Sequence, residues 1–270
     1  MKVVVTGAAG QLGRALALTR PPWATSVCFA TRADLALESI ATSPLLDATT
    51  IVINAAAYTA VDAAESHPEA ATFLNTTAPG LLAERVGHLI QVSTDYVFGP
   101  NMPRRPLTPK DPTGAPQTVY GRTKLAGEQR VLAAGGAVVR TAWVYSGNLL
   151  PHRDFLHTML RLAAGPDPVR VVDDQIGSPT YVVDLARALW AEAADPRPGL
   201  RHAVGAGHTS WHGLAQATFA AVGADPARVL PIPSVQYPTP AVRPQWSVLA
   251  SDYELPHWSA GVRRAVEGKL

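Results

Sequence analysis

Cysteine is nearly missing from this chain. Among 270 residues there is one, Cys28, so an internal disulfide is impossible and thiolate-built metal sites are excluded. Cys28 sits in the apolar run VCFA and reads as a small core residue. Charge is scarce as well: 16% of residues carry it, and Lys+Arg 23 against Asp+Glu 21 leaves +2. With 47% hydrophobic residues, the composition is that of a folded chain with a real core, not a solvated coil. The basic residues are scattered, with only the doublets Arg104-Arg105 and Arg263-Arg264, so the stripe of a nucleic-acid binder is missing. No apolar run reaches membrane-spanning length. Met1-Lys2 leads directly into VVV and a glycine turn, with no signal peptide. The expectation is a cytoplasmic protein, monomer or homodimer, with neither nucleic acid nor membrane as partner.

What is present is an alternation. Apolar runs of strand length lie at 3–6, 27–30, 51–54, 89–93, 137–141 and 169–172. Helical patterns follow several of them, at 11–18, 68–86, 119–134, 154–163 and 181–194. Short, fully apolar strands alternating with helices predict a parallel sheet covered on both faces. After about residue 199 proline becomes frequent and helices shorten, as in a smaller lobe covering the sheet's ligand edge. The proline-rich stretch 99–118 is long enough to be a binding loop or lid.

The first strand runs into TGAAGQLG, which spaces Gly7, Gly10 and Gly13 by three and opens a helix. Glycine there permits a tight turn, close approach to a pyrophosphate, and close helix packing. Backbone N–H groups at the helix start then face the phosphates. At the end of the second strand stands Thr31-Arg32. An arginine suits the 2′-phosphate of NADP where an acid would select NAD; the alternative is a solvated loop arginine, and Asp34 nearby blurs the choice by a contact to adenine. Ala55, Ala56 and Ala57 follow the third strand and are small enough for a flat cofactor to lie on them.

Lysine is rare, with four in the chain, yet Lys124 falls one helical turn after Tyr120 in VYGRTKLAGEQ. Ser93-Thr94-Asp95 ends the strand before this helix, at the edge where open α/β sheets bind ligands. Carbonyl reduction needs a proton donor for the oxygen that hydride delivery leaves negative. A phenol with a reference pKa near ~10 is a slow donor at neutral pH, and an adjacent ammonium makes it more acidic. Tyr120 is therefore the expected acid and Lys124 its tuner and a hold on the nicotinamide ribose. Thr94 donates to the same substrate oxygen. The plainer reading of the pair is a lysine lying alongside a half-buried tyrosine.

These residues resemble the extended short-chain dehydrogenase/reductases, and most closely the dTDP-4-dehydrorhamnose reductase family. The phrases that carry it are TGAAGQLG, INAAAYTAVDAAE, VSTDYVF, VYGRTKLAGEQ, RTAWVYSG, FLHTMLRLA and VVDDQIGSPTYVVDLA, with Arg243-Pro244 and Ser247-Val248-Leu249 like a degenerate C-terminal signature. The resemblance implies NADPH-dependent reduction, with NADH as the alternative, of the 4-keto group of dTDP-4-dehydro-L-rhamnose to dTDP-L-rhamnose. It implies Tyr120 as proton donor, Lys124 at the ribose, Thr94 at the sugar oxygen, and Asp95 and Trp143 beside the sugar. It implies Gly10, Gln11 and Leu12 at the pyrophosphate, Asp34 and Leu35 near adenine, and Ala56, Ala57 and Tyr58 along the cofactor. By itself a tryptophan such as Trp143 at a strand end reads as core.

The fold expected is α/β: a Rossmann-type doubly wound parallel sheet with a smaller mixed α/β substrate-binding lobe. The NADP-binding part spans 1–145 with about 166–197 and 220–233; the lobe spans about 146–165, 198–219 and 234–270. Gly99-Pro100 and Pro109-Lys110 depart from the family pattern. Some family members bind magnesium through C-terminal glutamates; with only Asp252, Glu254 and Glu267 in this tail, no metal is expected. His208 and His212 are one turn apart, but GHTSWHG reads better as a helix start capped by Thr209 or Ser210. Arg104, Arg105, Arg153 and Arg243 are candidates for the substrate diphosphate. Two other readings stay open: a non-catalytic NADP-binding regulatory subunit of the same fold, and an epimerase or dehydratase for another nucleotide sugar.

Overall fold

Val3, Val4 and Val5 are fully buried, and they divide between two cores: Val3 and Val5 face one side of a sheet, Val4 the other. The two-residue period of an extended strand explains the split, and it repeats at Ile51 and Ile53 against Val52. Each fully buried side chain of this size contributes about 1.5–3 kcal/mol, so a strand without a polar residue on either face belongs inside a two-sided sheet.

In a computed structural model describing residues 2–270, the first half runs β1 (Lys2–Thr6), α1 (Gln11–Leu18), β2 (Ser26–Ala30), β3 (Thr50–Asn54), α2 (Val61–Ser66), α3 (Pro68–Thr72), α4 (Ala78–Arg85), β4 (His88–Thr94), α5 (Val119–Ala133) and β5 (Ala137–Thr141). The second half runs β6 (Val144–Tyr145), α6 (Phe155–Ala163), β7 (Val169–Val172), β8 (Ile176–Gly177), β9 (Thr180–Tyr181), α7 (Val182–Ala194), β10 (Gly199–His202), β11 (Thr209–Ser210), α8 (Trp211–Ala221), β12 (Val229–Ile232) and α9 (Trp258–Glu267). The main sheet has the order β10-β5-β4-β3-β1-β2, with every pair parallel. Leu16, Leu185 and Leu189 cover one face, and Leu82, Val86 and Val131 the other. This is the doubly wound α/β fold expected.

The strand predicted at 169–172 forms, but outside that sheet. β7 pairs with β12, and both pack with α6 and α8 around Met159, Val171, Phe219 and Val229. VRVV carries an arginine where a strand covered on both faces needs an apolar residue; Arg170 stays exposed and donates to Gln236. The sixth place in the main sheet goes to β10, from the stretch assigned to the smaller lobe.

The helix predicted at 68–86 is α3 and α4 joined through a π-helical turn, Phe73–Thr77. Such turns concentrate at functional sites, and this one lifts Asn75 toward the sheet edge. Ser210 caps α8, accepting the Gly213 N–H at 2.9 Å. The 99–118 stretch is anchored at its middle: Leu107 is fully buried, and its N–H donates to the Val248 carbonyl at 2.8 Å. Cys28 is half-buried against the second core. Among the described residues no helix is long and apolar enough to cross a membrane, and no group of three His, Cys, Asp or Glu is placed to hold a metal.

Candidate active site

β1 lies between β2 and β3, so the chain leaves β1 toward one side and returns on the other. A crevice opens beyond the carboxyl ends of β1 and β3, where doubly wound sheets bind ligands. Here it is a cleft of about 1020 Å³ whose wall extends from Gly7 through Thr94 and Tyr120 to Trp211.

The glycine turn forms one end. Gly7 has φ +68°, and a Cβ there would lie 2.7 Å from the Ala56 nitrogen, so only glycine lets the β1 turn meet the Ala55–Ala57 run. Gly13 is buried, and its absent side chain makes room for the Gly7 carbonyl. Gly10 is the N-cap of α1; no side chain caps this helix and no acid stands in its first turn. The N-terminal amides therefore remain open to an anion. Gln11 and Leu12 line the cleft, and the Gln11 amide donates to Asp154 at 2.8 Å and to the Ser146 hydroxyl at 3.1 Å.

Leu35, Ala56, Ala57 and Tyr58 continue the wall. Tyr58 is held through its backbone: its N–H donates to the Asn75 side chain at 2.9 Å, and the Asn75 amide donates to its carbonyl at 3.2 Å. Beneath the alanines Asn54 donates to Gln91 at 2.6 Å and accepts from Thr6 and from the Ala56 N–H. Thr31 and Arg32 stand at the far end, with Arg32 exposed and paired to Glu38 at 3.1 Å. Asp34 lies off the wall. Its carboxylate accepts the Thr31 hydroxyl and N–H at 2.7 and 2.9 Å, and these bonds hold it below the usual carboxylate range. The uncapped helix start, the close glycine approach and the flat alanine floor together fit a dinucleotide.

α5 begins where the Thr118 hydroxyl accepts the Gly121 N–H at 2.9 Å and Glu65 accepts the Val119 N–H at 2.8 Å. That fixes Tyr120 and Lys124 at the cleft. The Tyr120 phenol is pushed up to about 12 by burial; the Thr94 hydroxyl pulls it down and Asp95 adds to the rise. The tuning expected of Lys124 is not what acts on it in this arrangement. The ammonium donates to the Val92 carbonyl at 2.6 Å, because β4 ends directly beneath it. Burial lowers Lys124 to about 8, against the pull of Glu128. Thr94 donates to Asp95 at 3.0 Å and accepts the Tyr96 N–H. Asp95 is buried, one carboxylate oxygen has no partner, and desolvation raises it to about 6 against the Ser247 and Thr94 hydroxyls.

The opposite wall is aromatic. Trp143 has φ +47° and is the one non-glycine residue in the left-handed region among the described residues. Its ring lies where a side chain on Gly177 would be, 2.4 Å from that Cβ position, and its carbonyl accepts the Thr180 N–H at 3.2 Å. Trp211, at the start of α8, stacks on it, and Phe155 leans on Trp211 at 4.7 Å.

Sequence reasoning did not single out Trp211, Asn75 or Asp154 for the site. Trp211 lies 68 positions from Trp143, and nothing in that spacing signals a stack. The π turn that places Asn75 has no recognisable pattern. Asp154, the N-cap of α6, stood in the sequence only as the first residue of the helical pattern at 154–163. Of the arginines considered for a diphosphate, Arg105 pairs bidentately with Asp111 and Arg243 with Asp62 at 2.7 Å. The arginine on the cleft wall is Arg32.

Comparison with known proteins agrees along the whole chain. The family described as the RmlD substrate binding domain matches residues 1–268. A dTDP-4-dehydrorhamnose reductase from Mycobacterium tuberculosis (strain ATCC 25618 / H37Rv) is 46% identical over 98% of this chain and 92% of its own. The crystal structure of a dTDP-4-dehydrorhamnose reductase from Clostridium acetobutylicum superposes with a TM-score of 0.89 at 32% identity, covering 99% of each chain. That of a dTDP-4-dehydrorhamnose reductase from Bacillus anthracis, in complex with NADP, gives 0.86 at 30% identity over 98% of each. By its sequence and by its fold, this chain belongs to the RmlD substrate binding domain family.

Proposed function

We propose that the protein is an NADPH-dependent reductase that converts the 4-keto group of dTDP-4-dehydro-L-rhamnose to the alcohol, giving dTDP-L-rhamnose. The observation that carries this reading is that Tyr120, Thr94 and the uncapped start of α1 face one cleft, in a chain so similar to reductases of that name.

NADPH, when bound, supplies the hydride. Gly7, Gly10, Gln11 and Leu12 would hold its pyrophosphate, Ala56, Ala57 and Tyr58 its flat face, and Lys124 its ribose. Thr31 and Arg32 suit the 2′-phosphate, with Arg32 exchanging its exposed pairing to Glu38 for the phosphate. Asp34 supports the turn that presents them.

Thr94 turns its hydroxyl proton from Asp95 to the C4 oxygen of the sugar, which orients the carbonyl. As charge develops on that oxygen, the Tyr120 O–H bond breaks and its proton forms the new hydroxyl; the phenolate is reprotonated from water. A phenol raised to about 12 is fully protonated at neutral pH, so the donor is loaded before the reaction starts. Lys124, one turn further along α5 and held at the Val92 carbonyl, serves to position the ribose beside the phenol. Asp95 and Trp143 flank the sugar. A division into a Rossmann core that holds the cofactor and a smaller lobe that closes over the nucleotide sugar belongs to the same proposal.

The test is NADPH oxidation with dTDP-4-dehydro-L-rhamnose, for wild type and Tyr120→Phe. The expected result is robust turnover by wild type and a loss of roughly 10²–10⁴-fold in the variant, the range of a general acid. Unchanged turnover in the variant removes the proposed acid. NADPH binding without any turnover by wild type favours the regulatory-subunit reading.

A further inference from the structure

Tyr120, Lys124 and Glu128 follow one another at four-residue steps along α5, so they share one face of the helix. The first two line the cleft and Glu128 does not. Its carboxylate is 1% exposed and takes two hydrogen bonds from Arg140 on β5, at 2.9 Å from Nε and 2.6 Å from Nη2. Arg140 is as deeply buried, with its guanidinium 5.0 Å over the Phe98 ring. A buried ion pair adds little net stability, because desolvating both charges offsets their attraction. This one stands one helical turn from the functional lysine.

We infer that the Arg140–Glu128 pair is a positioning element for Lys124: Arg140 holds the Glu128 carboxylate against β5, so the ammonium has a balanced counter-charge behind it and is directed forward to the Val92 carbonyl and the cleft. The inference rests on the reductase reading, in which Lys124 has work to do.

Glu128 is the charged side chain that acts on Lys124. From the turn after β4, Asp95 acts on the phenols of Tyr96 and Tyr120. α2 presents Glu65, which accepts the Val119 N–H, and the π turn faces α5 with the uncharged Asn75 and Thr76, both bonded to Thr123. β10 adds His202 beside Arg140, held neutral with its pKa down at about 4 by burial and by that arginine. The balance at Lys124 is therefore set by the pair. Removing the carboxylate leaves a bare cation behind the ammonium, and removing the guanidinium leaves a bare anion that draws it back.

The experiment follows kcat/KM and the NADPH dissociation constant, the latter by fluorescence titration, across alkaline pH. Expected is an alkaline limb about one pH unit lower in Glu128→Gln and higher in Arg140→Gln, a shift in line with one charge at this range. In Glu128→Gln with Arg140→Gln the limb returns toward that of wild type. A purely structural pair lowers the melting temperature and the amount of active protein but leaves the limb in place, and that result overturns the inference. Should a neutral variant fail to fold, Glu128→Asp and Arg140→Lys carry the test. The first withdraws the carboxylate and lowers the limb; the second keeps the cation and leaves it. An unmoved limb in Glu128→Asp is equally fatal. Wild-type turnover of the ketosugar tests the reductase reading separately, and without turnover the binding limb still reports on Lys124.

Discussion

Trp143 and Trp211 stack face to face, with ring centroids 3.6 Å apart and planes 6° from parallel, although they lie 68 positions apart in the chain. The stack joins the end of the main sheet to the first turn of α8, and so builds the aromatic wall of the cleft from two distant segments. It also holds Trp143 in a backbone conformation that costs a bulky residue about 1–3 kcal/mol.

Replacing Trp211 with leucine therefore releases that strained backbone as well as losing the aromatic contact, which is worth about 0.5–1.5 kcal/mol beyond its buried area. We expect KM for the nucleotide sugar to rise roughly tenfold while NADPH binding holds, since a tenfold change corresponds to about 1.4 kcal/mol. The coupled-indole signal in the circular dichroism spectrum should vanish. An unchanged KM for the sugar would count against Trp211 shaping that half of the cleft.

Asp95 makes a prediction about pH. Burial raises its folded-state pKa from 3.8 to about 6, so the native state holds this proton more tightly than the unfolded chain. The sign follows from linkage: this group's contribution is full below about pH 4 and is lost as pH rises through 6. Asp95→Asn removes the penalty of a buried, half-unpaired charge. Thermal unfolding should show the variant more stable than wild type by about 3 kcal/mol at pH 8, with the gap closing near pH 4. Turnover should fall, because stability and site chemistry conflict here. A stability gap independent of pH would refute this account.

Gly7→Ala places a methyl group 2.7 Å from the Ala56 nitrogen at φ +68°. The turn has to move, and with it the approach of the chain to a pyrophosphate. A fold that survives with NADPH affinity reduced at least tenfold, about 1.4 kcal/mol, is the expected outcome by isothermal titration. Full affinity in the variant would place the pyrophosphate elsewhere.

Glu128→Gln is expected to be costly to the fold itself, because it strands a buried guanidinium. Breaking such a pair typically costs about 3–5 kcal/mol, which for a chain of this size lowers the melting temperature by roughly 10 °C. Exchanging both partners for apolar residues of similar volume should cost far less. Equal losses in the two variants, measured by calorimetry, would show that packing rather than charge dominates at this position.

Much of this architecture was legible in the linear order of residues. Strand identity came from runs such as VVVT and IVIN, which are apolar on both faces and leave no choice but burial. The glycine turn was legible because only glycine tolerates its backbone, and the Tyr120–Lys124 pair because four residues make one helical turn. Each of these signals lies within a single element or its immediate neighbour.

What the tertiary structure alone decided involves partners distant in sequence. Arg170 sends β7 to β12, and the vacancy at the sheet edge is filled by β10. Lys124 turns to the Val92 carbonyl, a choice made by how β4 ends under α5. Asn75 reaches Tyr58 through a π turn without a sequence signature, and Trp211 meets Trp143 in one wall of the cleft. Local periodicity encodes which face of a segment is apolar. It does not encode which segment that face will meet, because that depends on the packing of the whole chain at once.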